Sequence, residues 1–126
     1  MQERYLTITK NNSVPDFYSG RWKVYLPQEF YSSQNPIKRI DLLGFLYFNE
    51  RGQLDIGTSC HASFNYDSVE NDQMICMTCY GQMNQKSFII RKNITQIEVW
   101  FKDYKGETVF PIATEEYFLL ELNLVF

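Results

Sequence analysis

With 126 residues, 15 Asp and Glu against 12 Lys and Arg and a net charge of -3, the chain has no basic field to attract phosphates, and its cations are scattered. That argues against nucleic acid as a direct partner. The length fits one domain, residues 1–126, and an aromatic content of 17%, with 10 Phe and 9 Tyr, favours pleated, half-buried surfaces over helices.

No apolar run approaches the roughly 18 residues that a membrane helix needs, so no membrane span is expected. The amino terminus, Met1-Gln2-Glu3-Arg4, lacks the apolar segment of a signal peptide. Three cysteines, an odd number, argue against a complete disulfide framework and suit a reducing compartment. Synthesis inside a cell without a signal peptide is therefore expected. The sequons at Asn11 and Asn93 are read as coincidental in that setting.

In chain order, a strand is expected over residues 5–9, with Leu6 and Ile8 on one face, ending at Asn11-Asn12-Ser13 and Pro15-Asp16. After Gly20, Trp22, Val24 and Leu26 alternate with Arg21, Lys23 and Tyr25, and Pro27 closes that strand. Residues 28–35 suit a loop or one helical turn. The apolar stretch 37–48 reads as a central strand, either covered on both faces or bent at Gly44. Asn49-Glu50-Arg51-Gly52 supplies a turn, and a further strand is expected over 53–65, with Gly57 as an interruption.

Residues 66–73 are polar enough for an exposed loop, 74–80 read as a strand ended by Gly81, and 86–91 as a short one. The clearest pattern comes last. Ile97, Val99 and Phe101 alternate with Gln96, Glu98 and Trp100, and Phe118, Leu120, Leu122, Leu124 and Phe126 alternate with Leu119, Glu121, Asn123 and Val125. A period of two puts one set on each face of a sheet, and the two strands read as a hairpin. The run from Tyr47 to Gly52 echoes that from Trp100 to Gly106: an aromatic pair, a charged turn, a glycine. The expected architecture is all-β, with about eight antiparallel strands at the spacing of a sandwich or barrel.

Chemistry-bearing residues are few. Cys60-His61 and Cys76-Met77-Thr78-Cys79 have the right donors for zinc, but the odd separations put each pair on opposite faces of a strand. They are read as structural thiols, and no metal or cofactor is predicted. His61 is the only histidine, and no nucleophile elbow or phosphate loop accompanies it, so no catalytic residue is assigned. Glu115-Glu116 and Glu50 with Asp55 read as solvated loop charge. Tyr25, Trp100, Leu119 and Val125 fall opposite the core set of their strands. Either a second layer, a loop or the curvature of a barrel covers them, or they form an interface between subunits. The loop aromatics Phe17, Tyr18, Phe30, Tyr31 and Tyr66 suit stacking on a sugar or peptide, or the ends of a core.

The stretch from Ile94 to Phe101, then Asp103, Gly106 and Val109, then Tyr117 to Leu124, resembles the closing strands of small jelly-roll capsid proteins. The resemblance is to the single jelly-roll penton or minor capsid proteins of polinton-like viruses, virophages and adintoviruses, and covers about a quarter of the chain. It implies a single jelly-roll β-sandwich acting as a virion structural protein. The implied partners are copies of itself, as a pentamer or trimer, and other capsid proteins such as a major capsid protein. Penton, minor capsid, cement and spike-head roles all fit. The alternative is a jelly-roll binding module, lectin-like or receptor-binding, with a glycan or receptor as partner. No enzymatic activity is expected.

Overall fold

The computed structural model describes residues 2–30, 36–66, 69–76 and 87–126. Among them are ten strands: β1 (Glu3–Thr9), β2 (Val14–Asp16), β3 (Arg21–Tyr25), β4 (Arg39–Phe48), β5 (Ser59–Tyr66), β6 (Val69–Cys76), β7 (Ser87–Ile89), β8 (Gln96–Lys102), β9 (Thr108–Val109) and β10 (Tyr117–Val125). One sheet runs β1-β10-β4-β7 and the other β2-β3-β8-β5-β6, with β9 paired to β8. Setting aside the short β2 and β9, the first strand pairs with the last, β3 with β8, β4 with β7, and β5 with β6, all antiparallel. The chain is one long antiparallel hairpin rolled so that successive pairs alternate between two layers, which is a jelly roll.

The period of two sorts the residues as the sequence suggests. Ile97, Val99 and Phe101 from β8 and Phe118, Leu120, Leu122 and Leu124 from β10 are fully buried between the layers. At the centre, Phe101 stacks on Phe45 with centroids 5.7 Å apart and rings nearly parallel, and meets Phe118 at 4.7 Å and Tyr47 at 5.3 Å. The bend expected at Gly44 is a one-residue bulge. The β4–β10 register shifts between Glu121 and Leu122, so Gly44 faces Glu121 while Leu42 faces Leu122.

Three expectations are corrected. The strands β8 and β10 do not form a hairpin: β8 turns at Asp103 to pair with β9, and β10 belongs to the other sheet. Alternation reports which face is apolar, and cannot report which neighbour a strand pairs with. Residues 53–58 are not strand beyond one bridge from Leu54 to Phe48, because Asp55 turns the chain by accepting the Gly57 N–H at 3.1 Å. Most of the 66–73 segment is not loop: β6 pairs along β5 from Tyr66–Val69 to Cys60–Cys76, and backbone pairing overrides its polar composition. Of the loop or helical turn expected over 28–35, the described part is a single 3₁₀ turn, Gln28–Phe30. Tyr31, Cys79 and Gly81 lie outside the described residues.

The edge strand β1 is closed at one end by a side chain. Asn12, in the 3₁₀ turn Lys10–Asn12, donates to the Thr7 carbonyl and accepts from the Thr9 N–H at 2.8 Å, and Ser13 Oγ donates to the Thr9 carbonyl. The Asn12 amide stands in for a residue of the next strand. Such devices blunt an edge against pairing with another chain.

Candidate functional site

The strand directions carry three segments, 10–20, 49–58 and 103–116, to the same end of the sandwich. Two of them open with the same turn. Asn49 Oδ1 accepts the N–H groups of Arg51 and Gln53, and Asp103 Oδ1 accepts those of Lys105 and Glu107. In each, the backbone of the first residue bonds to the fourth and fifth, and the glycine takes positive φ, 69° at Gly52 and 82° at Gly106. The sequence echo is thus a structural one. The first turn opens the crossover from β4 to β5, and the second closes the β8–β9 hairpin within one sheet.

The 103–116 segment knits the end together. Phe110 meets Phe17 edge-on at 5.5 Å, and Lys10 Nζ donates to the carbonyls of Ala113 and Glu116 at 3.0 Å each. A methyl placed on Gly57 would sit 3.7 Å from Tyr104 Cβ, so the 49–58 loop leans on the same segment. Tyr47 Oη donates to Glu116 Oε2 at 3.2 Å, and the Ala113 N–H donates to Oε1 at 3.3 Å. Burial, reinforced by the Glu116 carboxylate, pushes the Tyr47 phenol well above its ordinary range.

This tied-down end is apolar towards solvent. Phe17, Tyr18, Leu54, Ile56, Tyr104 and Ile112 all stand exposed, and Tyr18 is wholly in water. These exposed side chains on a braced scaffold make this end the candidate site. Sequence reasoning singled out only Phe17 and Tyr18 here. Leu54 and Ile56 were hidden inside an expected strand, because their spacing of two fits a strand, and their signal was the turn formers Gly52, Asp55 and Gly57 around them. Phe30 and Tyr66 lie at the opposite end and are half-buried, Phe30 edge-on against Phe126 and beneath Arg4, and Tyr66 beneath Lys92.

The four outward candidates divide between the layers. Tyr25 and Trp100 belong to the β3–β8 sheet, and Leu119 and Val125 to β10 in the other. Tyr25 is exposed, Leu119 is half-buried and Val125 is buried. Trp100 is only 8% exposed, covered by the Arg21 guanidinium 3.7 Å above its ring and stacked on His61 with centroids 5.8 Å apart. They do not form one surface.

His61 Nε2 lies 3.2 Å from Ser59 Oγ. Burial, then the nearby Lys102 charge, hold the imidazole below its usual range. A cation is the opposite of what an acylating triad places beside its base, so this pair has the means to orient a ring and not to stabilise an imidazolium. Cys60 is buried in the core while His61 faces outward, and Cys76 sits across the ladder from Cys60. Among the described residues no group of three or more His, Cys, Asp or Glu is placed to hold a metal ion, and no helix is long and apolar enough to cross a membrane.

On the outside of the other sheet, Asp41 accepts from Ser87 Oγ at 2.7 Å and Arg39 Nε at 2.9 Å, with Asn123 Nδ2 at 3.5 Å. Burial works to raise its pKa, but these donors hold it below the usual carboxylate value. The chain matches no family model, no curated protein and no solved structure.

Proposed function

We propose that the chain is a structural subunit of a virus particle, penton-like or minor capsid, which assembles through its own surface. The observation that carries this is the apolar end of the jelly roll, where segments 10–20, 49–58 and 103–116 hold Phe17, Tyr18, Leu54, Ile56, Tyr104 and Ile112 in solvent on a braced scaffold. The likeness of the last two long strands to jelly-roll capsid proteins supplies the class, and the rolled-hairpin topology is compatible with it. Repetition of one contact around a symmetric ring turns a modest patch into a stable assembly. Light scattering coupled to size exclusion tests it: pentamers or trimers are the expected outcome, alone or with a major capsid protein. A monomer that never joins particles overturns it.

A second reading, a lectin-like or receptor-binding head, is favoured by the hairpin tip at Phe17 and Tyr18, where two aromatic rings meet water. Selective binding on a glycan array would support that reading over the first.

A further inference from the structure

We infer that this self-association is head to tail: the loop end just described docks on the opposite, basic end of a second copy. The inference rests on the self-assembly reading and specifies its contact. The head segments 10–20, 49–58 and 103–116 carry seven carboxylates against three cations, Lys10, Arg51 and Lys105, although the whole chain has a net charge of only -3. Of those cations, Lys10 is turned inward onto the Ala113 and Glu116 carbonyls. Asp16 is paired with Lys23 at 3.5 Å, and the remaining carboxylates still leave the head with exposed apolar side chains and an excess of negative charge.

Among the described residues the other end of the sandwich carries Arg4, Lys38, Arg91 and Lys92 against Glu3 and Glu29, an excess of positive charge that complements the head. The Ile90 N–H donates to the Lys38 carbonyl at 2.9 Å, which sets Lys38 beside Arg91 and Lys92, and all three are exposed. The acidic residue of the 26–30 turn, Glu29, is already paired with Arg4 at 3.1 Å. Ile89 and Val69, both more than half exposed, add apolar surface at the same end. Unlike ends of one chain with opposite charge and matching apolar surface make a heterologous contact, which closes into a ring or runs on as a filament according to its rotation. Complementary charge sets orientation and steers encounter, while the apolar residues supply the buried area.

The test uses sedimentation velocity over a concentration series, with two charge-reversed proteins. One carries Glu50→Lys, Glu107→Lys and Glu115→Lys at the head, the other Lys38→Glu, Arg91→Glu and Lys92→Glu at the tail; all six positions are exposed. The unaltered chain should associate, about tenfold more weakly at high salt. Each reversed protein should be monomeric alone, and an equal mixture of the two should associate again, which also shows that both are folded. Undiminished association of either variant alone, or failure of the mixture, overturns the head-to-tail contact and leaves self-assembly standing. An unaltered chain that stays monomeric throughout overturns the head-to-tail contact, and it overturns the self-assembly reading as well only when the chain also never joins particles.

Discussion

The guanidinium of Arg21 lies 3.7 Å from the centre of the Trp100 ring, and its Nη1 reaches Glu98 Oε2 at 3.1 Å. A cation pinned between a ring and a carboxylate converts an outward-facing tryptophan into a covered one. One of the four interface candidates in the sequence, Trp100, is engaged within its own chain.

Arg21→Ala should uncover Trp100. The other tryptophan, Trp22, is buried in the core, so a red shift of the emission reports Trp100. Loss of the cation–π contact should lower stability by about 1 kcal/mol in urea unfolding. Lys at the same position keeps the charge but loses the flat stacking surface, and should restore only part of the loss.

Tyr47→Phe removes the hydrogen bond to Glu116 and should destabilise the chain by about 1.5 kcal/mol at neutral pH. It should also change the alkaline limb. The phenol ionises less readily in the folded chain than at the ordinary value of 10.0, so the unfolded chain loses its proton first. Stability from this group is full below about pH 10 and is lost as pH rises further. Thermal melts of the Phe variant should show a shallower decline above that pH.

His61→Gln acts on the acid side. Its imidazole is held below 6.5 in the folded chain, so on acidification the unfolded chain takes up the proton first. The contribution is complete above pH 6.5 and falls as pH drops through the folded value. Melting temperature measured between pH 7 and 5 should fall less steeply for the variant, because Gln cannot charge. An unchanged slope would place the titrating group elsewhere.

Gly52→Ala and Gly106→Ala should cost about the same, near 1 kcal/mol each, since both glycines hold positive φ in the same five-residue turn. Neither site is crowded: an added methyl comes no nearer than 3.5 Å at Gly52 and meets nothing within 4 Å at Gly106. Chemical denaturation of the two variants compares them directly. Strongly unequal losses would show that the turns are not equivalent.

The alternation in residues 96–101 and 118–126 is a local property of side chains, and it settled by itself that the chain is all-β and which face of those strands is apolar. The turn chemistry at Asn49 and Asp103 was legible for the same reason, since an Asx side chain bonds its own next few N–H groups. Only the tertiary structure decided that β8 and β10 lie in different sheets, because strand partners are chosen across the fold and leave no mark in the rhythm of either strand. It also decided that Trp100 is capped while Leu54, Ile56, Tyr104 and Ile112 stand in water at one end. Exposure depends on what the rolled hairpin brings alongside each residue, and segments 10–20, 49–58 and 103–116 become neighbours only once the two layers close.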